Sequence, residues 1–279
     1  MEAEQQDLAP AHWRRWESNL GPEGLISYRY LGCSSAAVSP HQAVGRMRIR
    51  SDLRAGGGLL LAPLGIAMLD TAGINVDAIA QVAPTRIDLT VFPGAGEAEE
   101  VVVHGVVVRE GRTQMFTETR FEDAGRPGRV VALGSTSWAV MAPVPDGYRY
   151  VDPGPGIPDT PGLPSLAAAF GATERPQGGF VLEGLSTRVG STSLHQGPIQ
   201  VLLEAAAVQA AAEATGGGAL RERQCGISIV RPGRFGPFTT TAEIVVAEGD
   251  LIACRAELRD EGADGKPVAT ATYILERAA

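Results

Sequence analysis

The chain is poor in aromatic residues, 5% of 279, and holds three cysteines. With Ala and Val abundant and 35 glycines present, thin and closely packed elements are expected rather than bulky aromatic layers. Cys33, Cys225 and Cys254 are odd in number and widely spaced. No CxxC or Cys/His ligand spacing exists, so neither a disulfide framework nor a zinc site is suggested, and a reducing cytoplasm is the expected location. Basic clusters are missing as well: 24 Lys and Arg against 32 Asp and Glu leave a net charge of −8, with no stripe to neutralise a phosphate backbone. That argues against nucleic acid as a partner. The longest apolar stretch, Leu59 to Leu69, is interrupted by Pro63 and is too short to span a membrane. The opening MEAEQQDLAP is acidic where a signal peptide would be basic, so a soluble protein is expected. What is present suits a packed core: 44% hydrophobic and 20% charged residues, in a length that fits one large domain or two ordinary ones.

The chain repeats itself. Laying LLLAPLGIAMLDTAG (Leu59 to Gly73) over TSLHQGPIQVLLEAAA (Thr192 to Ala207), with a shift of 134 residues, puts Asp70 on Glu204, Leu61 on His195 and Leu64 on Pro198. Pro63 then falls on Gly197. RIDLTVFPG (Arg86 to Gly94) matches GISIVRPG (Gly226 to Gly233), and two later β-rich runs match around Gly111 and Gly249. Each copy reads as an extended segment (Ala43 to Leu53, Gly178 to Val189), one long apolar helix, then four strands. Leu64 to Ala80 and Pro198 to Ala212 are the helices, with Gly216 to Gly218 as the second one's stop. Glu110-Gly111 and Glu248-Gly249 read as hairpin turns. His12 to Leu20 reads as a short covering helix, and Pro143 to Pro164, rich in Pro and Gly, as a semi-rigid linker.

This order, with an acid inside each buried helix, resembles the hotdog fold, and LHQGPIQVLLEAAA is similar to the His-Gly-Gly and helix-acid motif of hotdog thioesterases. His195 and Glu204 are nine residues apart, as in that family. The first copy keeps the acid, in Asp-Thr-Ala, but has Leu61 at the His position. The resemblance implies an α+β protein of two hotdog units in tandem, each an antiparallel β-sheet wrapped around a long central helix. The units are residues 1–142 and 177–279, joined by a linker at 143–176. It further implies hydrolysis of an acyl-CoA or related acyl thioester between the halves, with coenzyme A entering as part of the substrate and no separate cofactor or metal. Pairing of fused chains into a homo-oligomer follows from the family habit and from exposed sheet edges.

Two composite sites are implied. The first joins His195, Gln196 and Gly197 with Asp70; the second joins Leu61, Ala62 and Pro63 with Glu204. Since Pro63 has no N–H at the position aligned with Gly197, the first is preferred. In it Asp70 is base or nucleophile, the Gly197 N–H polarises the carbonyl, and His195 positions substrate or shapes the loop. Val189 and Ala55 stand where related enzymes carry Asn or Gln, which bears on water positioning. Two other uses of the fold compete: a hydratase–dehydratase acting on enoyl or 3-hydroxyacyl thioesters through His195 and Asp70, and a non-catalytic acyl-CoA binder in which Asp70 and Glu204 are structural ties. His104, Gly56 to Gly58, and Arg54, Arg86, Arg231 and Arg234 read as ordinary strand, loop and surface residues, and Trp138 as a core anchor.

Overall fold

Period-two alternation of apolar residues turns most of the chain into strands, all of whose pairings are antiparallel. The computed structural model describes residues 24–144, 146–147, 152, 154–190 and 192–278. The covering helix expected at His12 to Leu20 lies outside them.

Before the first long helix come β1 (Ser34–Ser39) and β2 (Gln42–Arg48), then the two-residue strands β3 (Arg54–Ala55) and β4 (Gly58–Leu59). Helix α1 (Leu61–Ile79) runs directly into β5 (Ala80–Val91), followed by β6 (Glu100–Arg109), β7 (Gln114–Asp123) and β8 (Val130–Pro143). Beyond the Pro/Gly-rich stretch lie a single-turn helix (Leu166–Ala169), β9 (Thr173–Glu174) and β10 (Phe180–Leu182). Helix α2 (Gln196–Ala214) then precedes β11 (Leu220–Ile229), β12 (Phe238–Glu248), β13 (Leu251–Asp260) and β14 (Lys266–Arg277). Each long helix is therefore followed by four strands. Twelve strands form one sheet in the order β1-β2-β6-β7-β8-β5-β11-β14-β13-β12-β10-β9, while β3 and β4 make a separate hairpin. The seam between the two repeats is β5 against β11, with Ile87 opposite Ile227 and both fully buried.

Helix α1 is buried at every position from Leu61 to Val76, as an apolar helix enclosed by a sheet must be. It begins three residues earlier than its apolar pattern suggests, because Pro63 occupies the first turn, where a missing N–H breaks no helical bond. Pro198 does the same for α2, whose end is closed by Gly216 and Gly217 at positive φ, the Gly217 N–H bonding Ala212 O at 2.8 Å.

Two local readings change. The stretch before Ala43 supplies the edge strand β1, paired to β2 from Ser34↔Arg46 onward. Of the segment Gly178 to Val189 only Phe180–Leu182 is a strand. Gly56 and Gly57, read from sequence as loop residues, turn the β3–β4 hairpin at positive φ, with Gly56 O held by Arg221 Nε at 2.8 Å. The Pro/Gly-rich stretch is pinned to residues before α1: Ser34 Oγ donates to Asp152 at 2.6 Å and Ser51 Oγ to Asp159 at 2.8 Å. Trp138 is a core residue, its indole N–H donating to Thr117 Oγ1 at 3.0 Å.

Candidate active site

The two long helices lie side by side and run in opposite directions. Ala62 faces Glu204, Gly65 faces Gln200, and Ile66 faces Gly197. A side chain at Gly65 would overlap Gln200, so small residues allow the helices to touch. This register places the start of each helix near the acid of the other, but the two ends are built differently.

At the start of α1 the amides are occupied. Ala62 N–H donates to Glu204 Oε1 at 2.6 Å, and Leu61 N–H to Glu222 Oε2 at 3.1 Å. Both carboxyls are almost wholly buried and hydrogen-bond each other. Burial raises the Glu204 pKa, and burial with the adjacent Glu204 charge raises that of Glu222 well above the usual carboxylate range, so the pair shares a proton. Glu222 Oε1 has no hydrogen-bond partner. The positive end of the helix dipole and two orphan donors offset part of the burial penalty.

This corrects the reason for setting the second site aside. Pro63 sits at the third helical position, as Pro198 does, and so stands over Pro198 rather than Gly197. The donor that its alignment seemed to remove is supplied by Ala62, and a carboxylate already consumes it. Glu222 was missed from sequence. Its signal was strand parity: in β11 it shares the buried face with Leu220, ahead of a register shift at Gln224.

At the start of α2 the amides are not occupied. His195 is the N-cap residue and gives no side-chain cap; its N–H donates to Val189 O at 2.8 Å. The first intrahelical bond runs from Ile199 N–H to His195 O. Pro198 has no N–H, so Gln196 and Gly197 carry the two donors that the helix leaves over, and neither meets an acceptor among the described residues. Val189 thus contributes its carbonyl to this loop.

Ser27, from a π-helical turn at Ser27–Leu31, is fully buried against this end. Its Oγ lies 3.3 Å from His195 Nδ1, and the Tyr28 ring is tilted against the imidazole at 5.6 Å between centroids. Burial pushes the His195 pKa down to about 4, so the ring is neutral near pH 7. Ser27 had no signal in the repeat, because its segment has no counterpart in the second copy.

Asp70 is 8% exposed and makes no hydrogen bond or ion pair among the described residues. Burial, with a smaller contribution from the charge of Asp77, holds its pKa well above the usual range. Its neighbour Thr71 points elsewhere, into a buried cluster with Cys33 Sγ at 3.4 Å and Ser35 Oγ at 3.1 Å. Asp70 lies one helical turn along α1 from Ile66, whose Cδ1 is the α1 atom nearest a side chain built at Gly197. Ser27 touches both His195 and Gly197, while Asp70 is not joined to them by any hydrogen bond among the described residues.

Gly197 is required sterically, since a methyl group there would overlap Ser27 Oγ and come within 2.8 Å of Ser27 Cβ. Gly197→Ala is expected to destabilise the protein by about 1–3 kcal/mol, read as a lowered melting temperature, and Ser27→Gly in the same chain should recover most of it. Arg54 and Arg86 are committed elsewhere, to Ala98 O at 2.6 Å and to Asp88.

No family model matches the chain, and no curated protein sequence does. Solved structures do match. The tesB protein MAP1729c of Mycobacterium avium subs paratuberculosis superposes with a TM-score of 0.61 at 14% identity, covering 87% of this chain and 95% of that one. A conserved protein from Alicyclobacillus acidocaldarius described as having the hot dog fold gives 0.57 at 12% identity, covering 88% and 96%. This is a hotdog fold. Acyl-CoA thioesterase II TesB2 of Mycobacterium marinum matches over 94% of this chain and 97% of its own, at 13% identity and a TM-score of 0.57. The likeness therefore spans nearly the whole length of both chains. No helix among the described residues is long and apolar enough to cross a membrane.

Proposed function

We propose that the chain is two hotdog units in tandem, residues 1–142 and 177–279 joined through 143–176, and that it hydrolyses an acyl-CoA or related acyl thioester between them. One observation supports the site: the Gln196 and Gly197 N–H groups lack acceptors among the described residues, whereas the equivalent amides of α1 are filled by Glu204 and Glu222, and Ile66, one turn before the buried Asp70, packs toward Gly197. Coarser support comes from the fold, since solved neighbours include an acyl-CoA thioesterase II and, from Bacteroides thetaiotaomicron, an acyl-ACP thioesterase.

In this reading the thioester carbonyl oxygen accepts from the two free N–H groups, which stabilise the negative charge that grows there. Asp70, whose affinity for a proton is raised by burial, takes a proton from water as the water oxygen bonds to the carbonyl carbon. That proton passes to the sulfur as the carbon–sulfur bond breaks, leaving acid and free thiol. Neutral His195 holds the Ser27 hydroxyl and shapes the loop. Glu204 and Glu222 tie the halves together rather than act on substrate. Location in the cytoplasm and further pairing of chains into a homo-oligomer belong to the same proposal.

The test is release of free thiol from a panel of acyl-CoA substrates by the full chain. Thiol release that survives Asp70→Asn and fails with Glu204→Gln would move the chemistry to the other helix end. Loss of enoyl absorbance from crotonyl-CoA without thiol release would replace hydrolysis by hydration.

A further inference from the structure

The segment that carries Ser27 is fixed from three sides. Ser27–Leu31 forms a π-helical turn, a rare conformation that recurs at functional sites. Ile26 N–H donates to Arg188 O at 2.8 Å, which ties the turn to the loop before α2. Arg50, buried and paired with Asp52, donates from Nη1 to Tyr30 O at 2.8 Å, and the Tyr30 hydroxyl donates to Asp52 at 2.8 Å. Where the turn ends, backbone meets backbone. A side chain at Gly32 would overlap Gly156 N of the Pro/Gly-rich stretch, and one at Gly156 would come within 2.5 Å of Leu31 O. An uncommon backbone persists where its surroundings over-determine it, as they do here.

What the turn delivers is one hydroxyl. Ser27 is fully buried, and its Oγ stands 3.3 Å from His195 Nδ1 and against the Gly197 backbone, where a built Cβ would lie 2.1 Å away. Alanine would fill this place with no polar group to satisfy, so packing alone does not call for a hydroxyl. The Gln196 and Gly197 N–H groups, unoccupied among the described residues, belong to the same helix end. Unlike an amide N–H, a hydroxyl can accept and donate at once. With the imidazole hydrogen on Nδ1, the neutral ring donates to Ser27 Oγ and leaves the serine hydrogen available to another acceptor.

Resting on the thioesterase reading, we propose that Ser27 is a catalytic residue whose hydroxyl donates to the thioester carbonyl oxygen, beside the N–H groups of Gln196 and Gly197. The bond strengthens as negative charge grows on that oxygen during attack by water. No covalent bond to Ser27 forms, and its proton stays with it through turnover. His195 is a positioning residue, which aims the serine hydrogen by occupying the hydroxyl oxygen from the other side.

The experiment compares the full chain with Ser27→Ala and Ser27→Cys on an acyl-CoA that the parent hydrolyses. Loss of one donor to the growing oxyanion is expected to lower kcat about a hundredfold in Ser27→Ala, with KM within about twofold. Ser27→Cys, a weaker donor of similar shape, should fall between. Melting temperatures record folding, and if the alanine variant does not fold, the cysteine variant carries the comparison. The direct readout is the infrared carbonyl band of a ketone analogue of acyl-CoA, with CH2 in place of the sulfur and carbon-13 at the carbonyl. Bound to the parent, the band should lie at lower frequency than in the free compound, and Ser27→Ala should return part of that shift. Unchanged kcat, or a band that Ser27→Ala leaves in place, overturns the inference while thiol release by the parent keeps the thioesterase reading. An acyl group found covalently on Ser27 by mass spectrometry overturns it too, in favour of nucleophilic attack. If the parent releases thiol from no acyl-CoA, that reading fails, and the ketone band still decides. A shift that depends on Ser27 supports the inference; no shift, or no bound ketone, overturns it.

Discussion

Asp70→Asn is expected to lower thiol release by about a thousandfold or more, the scale set by removing a positioned base or nucleophile together with its charge. The substitution keeps the size of the side chain and removes only the ability to accept a proton. Folding should not suffer. Asp70 is buried without a partner, and its raised pKa means that ionising it opposes folding. For a group whose folded pKa lies above its unfolded one, the favourable contribution is complete below the unfolded pKa, near 4 for an aspartate, and is lost as pH rises through the folded value. At pH 8 the Asn variant should therefore melt at or above the temperature of the parent while its turnover collapses. A variant that retains turnover would remove Asp70 from the chemistry. One that loses turnover only because it unfolds would assign Asp70 to the structure.

The second large effect belongs to the other end of the helix pair. Glu222→Gln is expected to raise the melting temperature at pH 8 by several degrees and to flatten its dependence on pH. Glu222 is raised well above the ordinary glutamate range by burial and by the neighbouring Glu204 charge, so the sign is the same as for Asp70. The contribution of the protonated pair is fully present below about pH 4, where unfolded glutamates titrate, and fades as pH rises through the raised value. Glutamine supplies permanently what the shared proton supplies conditionally. Its carbonyl can accept from Leu61 N–H and its amide can donate to Glu204, which stays bonded to Ala62 N–H. Glu204→Ala should do the reverse, leaving Ala62 N–H and Glu222 unpaired and destabilising the fold by about 3–5 kcal/mol, the range for breaking a buried charged contact. Thermal melts across pH 5 to 9 separate these outcomes; a parent chain whose stability is flat over that range would refute the shared proton.

The contrast between the two helix ends shows where sequence reasoning reached and where it stopped. Both helices, the four strands after each, and the buried position of Asp70 and Glu204 were legible, because apolar continuity and period-two alternation are local properties. Trp138 and the Glu110-Gly111 and Glu248-Gly249 turns were legible for the same reason. The edge strand β1 was hidden by the lack of a matching segment in the second copy. Pro63 misled because alignment by the acids shifts the helix starts by one residue, and a proline at the third helical position removes a donor that neither helix has.

What the sequence determined alone is the two long helices, the four strands after each and the acid buried in each helix, since spacing and side-chain chemistry along one strand or one turn decide them. Only the tertiary structure decided how the two ends of the helix pair differ. Glu222 reaches Leu61 from 161 residues away, and Ser27 reaches His195 from 168. Whether a helix amide is spent on a carboxylate or left open depends on which side chain the sheet delivers to it, and no local pattern carries that information.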